Sequence, residues 1–199
     1  MQRWKTSLFP LVAVALGGML SLGCADSGVG DPCIPEDEYR VKFGGYAANE
    51  VNVESKSFQC ETRVCMAAYF QGRVSCPYGQ EDSNSPSGCF IPGRREAAET
   101  RIAQSVPPQK VDRRPDDSVY CSCRCDGPDK AITYCECPSG FVCEKMVEDL
   151  GFGSGQLAGS YCVKDGTQVD DPGKVTAGAD CSEATGSCGD PKPFGFGAK

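Results

Sequence analysis

The chain contains no histidine. Histidine is the side chain that most often serves as a general base near neutral pH. Its absence excludes Ser-His-Asp triads and Cys-His pairs, and it also excludes mixed Cys/His zinc sites. No G-x-S-x-G motif marks a nucleophile elbow either. We therefore predict no catalytic residue, no metal and no cofactor, and any acid–base chemistry would depend on carboxylates.

Long apolar runs are absent beyond residue 24. A membrane-spanning helix needs about 20 consecutive apolar residues, so the sequence predicts none in this part of the chain. Without long apolar strands or helices the chain also has little from which to build a large core, and covalent bridges must substitute for burial. We predict a small disulfide-rich fold of mostly short β-strands and loops, with one or two short helices and no large hydrophobic core.

Positive charge is also scarce, since 20 lysines and arginines face 27 acidic residues and the net charge is −7. Removal of Arg3 and Lys5 with a leader would take the net charge from −7 to −9. A chain this acidic is a poor ligand for the phosphate backbone. We therefore exclude nucleic acid as a partner.

The one long apolar stretch lies at the start of the chain. Arg3 and Lys5 precede a mostly apolar segment, residues 7–22, which Pro10 interrupts and which ends at Gly23-Cys24. A charged start, an apolar segment of this length and a small residue before the cut are the parts of a secretory signal. We predict that residues 1–23 are a signal peptide.

The residues Leu20-Ser21-Leu22-Gly23-Cys24 resemble the lipobox of bacterial lipoproteins. Ser21 departs from that pattern, because the third position before the cysteine is usually leucine. The resemblance implies cleavage before Cys24, a diacylglyceryl group on its thiol and often a further acyl chain, such as palmitate, on its amine. Two or three acyl chains make a durable membrane anchor. The alternative is an ordinary signal peptide with Cys24 as a structural cysteine.

The same resemblance implies where the protein is located. The expected location is the bacterial cell envelope, with the membrane as a partner through the lipid on Cys24. Ala25 stands where an aspartate would favour retention in the inner membrane, so it favours the outer membrane. The rest of the chain resembles uncharacterised cysteine-rich lipoproteins of myxobacteria, which implies the same location in the cell envelope and no activity.

Cysteine is abundant, with 15 in the chain. Setting Cys24 aside leaves fourteen, an even number. An oxidising compartment favours disulfides, so we expect all fourteen to pair. They are Cys33, Cys60, Cys65, Cys76, Cys89, Cys121, Cys123, Cys125, Cys135, Cys137, Cys143, Cys162, Cys181 and Cys188.

Composition divides the chain into six parts. After the signal peptide we predict a lipidated tether at 24–30, a first cysteine-rich segment at 31–93, a charged exposed connection at 94–118, a second cysteine-rich segment at 119–164 and a flexible tail at 165–199.

The parity of the cysteines predicts how the segments are joined. The two cysteine-rich segments and the tail hold 5, 7 and 2 cysteines respectively. If Cys181 pairs with Cys188 across a tight loop, both cysteine-rich segments keep an odd number. At least one bridge must then cross the connection. We therefore expect the two segments to form one disulfide-linked unit.

Two clusters with C-x-C spacing have more than one chemical interpretation. They are Cys121-Ser122-Cys123-Arg124-Cys125 and Cys135-Glu136-Cys137. A metal or iron–sulfur site and a redox-active dithiol both use closely spaced cysteines. Alternate residues of a strand lie on one face, so structural disulfides to different partners are the third interpretation. The even count and the oxidising compartment favour this third interpretation.

Local patterns predict short elements. Alternation favours strands at 51–55, 64–70 and 131–137. Recurring alanine and isoleucine favour a short helix at 94–104, and the segment 144–150 favours one or two helical turns.

Two hypotheses of function remain. The first is a rigid binding or structural module that is tethered to a membrane and contacts a protein or a glycan through its loops. The alternative is a small secreted-type enzyme or inhibitor with a carboxylate-based site. The enzyme would show carboxylates that converge in a cleft, whereas the module would show an exposed aromatic or loop patch.

Overall fold

The computed structural model describes residues 28–86, 88–94, 98–151, 154–171, 175 and 178–189. The predicted signal peptide, Cys24 and the end of the predicted tail lie outside these residues. Within the described ranges, none of the helices has the length and apolarity that crossing a bilayer requires.

The first sheet has three antiparallel strands in the order β1-β2-β3. They are β1 (Val51–Glu54), β2 (Val64–Ala68) and β3 (Val119–Ser122). All four residues of β3 and the last four of β2 are buried, as expected for strands rich in apolar residues. The strands predicted around 51–55 and 64–70 are therefore confirmed.

The second sheet is also antiparallel, in the order β4-β6-β5. Its strands are β4 (Arg124–Asp126), β5 (Phe141–Val147) and β6 (Gly159–Lys164). The chain passes from β3 to β4 through Cys123, so one continuous segment belongs to both sheets. The Ser122 hydroxyl donates to the Cys162 carbonyl at 2.8 Å and fixes this passage against β6.

Helices are short throughout the described chain. One α-helical turn, α1 (Pro115–Ser118), begins with a proline at its first positions, where the missing N–H costs nothing. Single 3-10 turns are formed at Glu36–Tyr39, Ala98–Thr100, Ser154–Gln156 and Glu183–Thr185.

Buried apolar side chains form several small clusters instead of one large core. The cluster with most members joins the two sheets, since Met66 and Tyr120 of the first sheet meet Tyr161 and Val163 of the second. Tyr120 also packs edge-to-face on Phe141, with ring centroids 5.6 Å apart. The small disulfide-rich fold of short strands and loops, without a large core, is thereby confirmed.

Two buried charged residues, Glu38 and Arg73, fasten the N-terminal loops to the segment that follows β2, and both residues are 0% exposed. The Glu38 carboxylate accepts backbone N–H bonds from Val74 at 2.6 Å and from Ser75 at 2.9 Å. The Arg73 guanidinium donates to the carbonyls of Glu38 and Phe43. Burial raises the pKa of Glu38, while the charge of Arg73 opposes this rise.

Three local predictions are wrong. The segment 144–150 does not form a helix, because Glu144 and Lys145 pair in register with β6 as part of β5. The segment 131–137 is not a strand within the described residues, and disulfides from Cys135 and Cys137 hold it in place. The described part of 94–104 contains only the 3-10 turn Ala98–Thr100.

The charged connection at 94–118 is not simply exposed, as its charge had suggested. Ile102 and Val106 are buried with the Cys76–Cys89 bridge. Val106 and Gln80 exchange two backbone hydrogen bonds of 2.8 Å. The connection therefore forms part of the folded body, because its few apolar residues are spaced so that they reach a buried cluster.

The described part of the tail touches this same connection. Lys110 forms an ion pair of 2.9 Å with Asp180. The Cys181 N–H donates to the Gln109 carbonyl at 2.7 Å. These contacts hold the small loop closed by Cys181 and Cys188 against the body.

Candidate functional site

The covalent framework pairs all fourteen cysteines of the described residues. The bridges are Cys33–Cys65, Cys60–Cys121, Cys76–Cys89, Cys123–Cys135, Cys125–Cys143, Cys137–Cys162 and Cys181–Cys188.

The parity prediction is confirmed in both of its parts. Cys181 pairs with Cys188. Cys60 and Cys121, 61 residues apart, form the one bridge that joins the two cysteine-rich segments across the connection. The loop that this bridge closes includes β2 and α1. The bridge therefore links the first segment covalently to β3, which belongs to the second.

Both sheets place two cysteines directly opposite each other on neighbouring strands. Cys65 faces Cys121 across β2 and β3, and Cys143 faces Cys162 across β5 and β6. None of the four bonds to the residue it faces. Cys65, Cys121 and Cys162 bond to cysteines on loops outside their sheet. Cys143 bonds to Cys125 on β4 and so links the two outer strands of the second sheet.

The sulfur atoms also lie in three close groups, each with its atoms within 4.8 Å of one another. In one group, Cys123 Sγ lies 3.5 Å from Cys162 Sγ, although these atoms belong to different bridges. A metal needs thiolate ligands, whereas every sulfur in these groups is bonded to another sulfur. The C-x-C clusters are therefore structural in this oxidised chain, with disulfides to different partners.

A shallow cleft of about 340 Å³ lies beside the second sheet and contains the carboxylates that the enzyme hypothesis requires. Asp126, Glu148 and Asp149 line it. Lys130 donates a 2.6 Å hydrogen bond to Asp126, which lowers the pKa of this carboxyl. Lys145 Nζ lies 3.4 Å from Glu148. A general acid needs a raised pKa, so Asp126 is unsuited to that role.

The tyrosines among the cysteines contribute to packing. Tyr120 and Tyr161 are each 1% exposed. The Tyr120 hydroxyl accepts a hydrogen bond from the Lys164 N–H, and the Tyr161 hydroxyl donates one to the Leu157 carbonyl. Neither ring presents a face on which a ligand could stack.

An exposed aromatic patch occurs instead on the loop between β1 and β2. We call residues 55–63 the Phe58 loop. The Phe58 side chain is 88% exposed, which is the highest value among the exposed large apolar side chains of the described residues. The Arg63 guanidinium lies over its ring, 4.3 Å from the centroid, as in a cation–π pair.

The Phe58 loop is held from several sides. Gln59 exchanges two hydrogen bonds with the backbone of Ile34, of 2.7 Å and 3.0 Å. Cys60 is bonded to Cys121 on β3. The Ser57 N–H donates to the Arg63 carbonyl at 3.0 Å and closes the loop. A rigid loop with an exposed aromatic residue loses little entropy on binding, which is typical of recognition surfaces.

Arg63 itself has an unusual backbone conformation, with φ of 65°. This left-handed region costs a side chain such as arginine about 1–2 kcal/mol. The surrounding hydrogen bonds and the neighbouring disulfide compensate for this cost. The result is a cation fixed over an aromatic ring at the surface.

The N-terminal end of the described chain lies against this loop. Gly28 and Val29 are buried, although both belong to the predicted tether. A Cβ atom built on Gly28 would lie 3.2 Å from the Glu61 Cβ, so the backbone at Gly28 runs directly over the Phe58 loop. The Gly30 N–H donates to the Cys121 carbonyl at 2.8 Å. The predicted tether therefore joins the folded body at Gly28.

Sequence reasoning missed the Phe58 loop. Phe58 stands in the polar run Ser55-Lys56-Ser57-Phe58-Gln59, where a single aromatic residue would ordinarily be assigned to a core. Its exposure depends on Gln59 and Cys60, which turn inward to partners far away in sequence.

The chain has no match among protein-family models, curated proteins or solved structures.

Proposed function

We propose that the protein is a lipid-anchored extracytoplasmic lipoprotein of the bacterial cell envelope. In this proposal it acts as a disulfide-stabilised binding or structural module, attached through Cys24 and facing a protein or glycan partner. The leader before Cys24 supports export, and Ala25 favours the outer membrane.

The observation that carries the proposal is the pairing of the cysteines. The chain has 15 cysteines, and the fourteen from Cys33 onward are paired with one another. Cys24 is the one cysteine left without a disulfide partner in this set. An unpaired thiol is out of place in an oxidising compartment, and acylation would consume it.

The rigid surface supports the role of a module. Bridges fix the loops, and the Phe58 loop presents an ordered aromatic side chain to solvent. Two carboxylates of the cleft, Asp126 and Glu148, are paired with lysines, which gives no support to an acid–base mechanism at these residues.

The test is expression of the full chain and of its Cys24→Ser variant in a bacterial host fed a labelled fatty acid. We expect the natural chain to take up label and fractionate with membranes. The variant should take up none and stay unprocessed or soluble, because the acceptor thiol is missing. A Cys24→Ser variant that runs at mature size with the membranes would contradict the proposal.

The matched control is Cys181→Ala/Cys188→Ala, which also removes cysteine but leaves Cys24 in place. This control should be labelled like the natural chain. Alkylation of the denatured, unreduced mature protein should find no free thiol, and two or more free thiols per chain would contradict the complete pairing.

A further inference from the structure

We infer that the Phe58 loop is the face that this protein lays on the lipid bilayer, with Phe58 at the headgroup level and Arg63 beside it. This inference rests on the proposed function, since it is the acyl chains on Cys24 that bring the loop to the membrane. It adds an orientation and a second point of contact to the anchor.

The first argument is reach. Cys24 lies four residues before Gly28, and four residues span at most about 14 Å. Gly28 is packed on Glu61, and Glu61 lies three residues from Phe58. The headgroup region is about 5–8 Å thick on each side of a bilayer. The anchor therefore keeps the Phe58 loop within a short distance of the headgroups.

The second argument is that the chain leaves the folded body, in the direction of Cys24, at a fixed point. Gly30 and Asp31 exchange backbone hydrogen bonds of 2.8 Å and 2.7 Å with Cys121 on β3. The same residue, Cys121, is bonded to Cys60 within the Phe58 loop. The chain's exit and the loop thus belong to one rigid unit and cannot turn independently of each other.

The third argument is chemistry. An exposed aromatic ring beside cations suits the membrane interface, where the ring meets acyl chains and the cations meet phosphates. The Phe58 loop carries Lys56 and Arg63 against the single carboxylate of Glu61, on a chain with a net charge of −7. The side chains of the loop that are exposed include Lys56, Phe58, Glu61 and Arg63. The loop is therefore locally cationic on an acidic protein, which suits contact with lipid phosphates.

The experiment uses tryptophan fluorescence. The sequence has one tryptophan, Trp4, in the predicted signal peptide, so the processed protein would contain none. We would purify the processed, acylated Phe58→Trp protein and place it in phosphatidylcholine vesicles with bromine on the acyl chains. The introduced indole should shift to shorter emission wavelengths and lose about half of its intensity, because an interfacial side chain reaches about 5–10 Å into this boundary.

The matched control is Leu150→Trp. Leu150 is 70% exposed and follows β5 (Phe141–Val147), whose first residue lies beside Gly30. Since a strand rises about 3.3 Å per residue, the far end of β5 lies about 20 Å from that point. We expect no quenching of this indole, although the protein is anchored to the same vesicles.

The outcomes separate the two proposals. Mass spectrometry of the same samples reports acylation of Cys24. If Cys24 is acylated but the Phe58→Trp indole is quenched no more than the Leu150→Trp indole, membrane docking is overturned while the anchor stands, and the loop is left for a protein or glycan partner. If Cys24 carries no acyl group, the anchor fails, and the docking fails with it.

Discussion

The two sheets of this protein are of equal strand number but differ in what stabilises them. In the first sheet, β2 and β3 are almost completely buried. In the second, the seven residues of β5 are all half-buried or exposed, and Cys143 itself is exposed. The first sheet draws on the hydrophobic effect through β2 and β3, whereas the second buries only the middle of β6, from Tyr161 to Val163.

The covalent bonds are distributed in the opposite way. Three bridges cross-link the region of the second sheet, and their cysteines are 12, 18 and 25 residues apart. The two bridges at the first sheet join cysteines 32 and 61 residues apart. Short-range bridges thus hold together the sheet whose strand β5 is only partly buried, and long-range bridges tie distant segments to the sheet with two buried strands. The comparison teaches that burial and cross-linking substitute for each other within one small chain.

The largest expected effect comes from the buried pair beside the first sheet. Arg73→Met should lower the free energy of unfolding by about 4 kcal/mol at pH 7, because it removes the cation that offsets the burial of the Glu38 carboxyl. Urea unfolding measures this loss. The control is Arg40→Met, since Arg40 is exposed and paired with Asp37 on the surface, and its loss should be at most about 1 kcal/mol.

The pH dependence of this loss gives a second check. Burial raises the pKa of Glu38 above its ordinary value of 4.5 in the folded protein, and removal of Arg73 takes away the charge that opposes the rise. A carboxyl with a raised folded-state pKa stabilises fully below its unfolded pKa, and this stabilisation is lost as the pH rises through the folded pKa. The deficit of Arg73→Met should therefore shrink at pH 4. A deficit that is unchanged between pH 7 and pH 4 would show that lost hydrogen bonds, and not the charge, cause the effect.

The next effect concerns a bridge of the second sheet. Removing the bridge in Cys125→Ala/Cys143→Ala, whose cysteines lie 18 residues apart, should cost about 3 kcal/mol. Hydrogen exchange should show this loss in β5, whereas amides of β2 keep their protection because that strand is buried. Cys181→Ala/Cys188→Ala, with a separation of 7, is the control that should leave β5 unchanged. Equal loss of protection in β2 and β5 would mean that the two sheets unfold together.

The smallest effect is a difference between two methionines. Met66 of β2 is 0% exposed, and Met146 of β5 packs against the same cluster while only half-buried. Met66→Ala should cost about 3 kcal/mol and Met146→Ala about 1 kcal/mol, because the second site leaves a cavity open to water. Thermal or urea unfolding measures both. Equal losses of unfolding free energy in the two variants would mean that β2 and β5 do not differ in how much burial stabilises them.

Much of the fold could be predicted from the sequence. Alternating valines predicted β1, and the run from Val64 predicted β2, because both strands carry their own pattern. Elements whose pattern is ambiguous were predicted wrongly. The segment 144–150 has helix-forming residues, yet six residues of β6 pair with β5 in register and outweigh that weak preference.

The candidate site could not be predicted in the same way. Nothing local distinguishes Phe58 from a core aromatic residue, and Glu38 and Arg73 look like surface charges until residues 35 positions apart are brought together. Partners that are distant in sequence decide both cases, so a local pattern contains no signal for them.

The sequence by itself determined that fourteen cysteines beyond Cys24 could pair completely, that a bridge must join the two cysteine-rich segments, and that no large core could form. These conclusions follow from counting and composition, which do not depend on conformation. Only the tertiary structure decided which cysteines bond, that Phe58 is exposed and that Gly28 lies against its loop. A disulfide requires two sulfur atoms at bonding distance, and exposure depends on what covers a side chain, so both are properties of the folded chain.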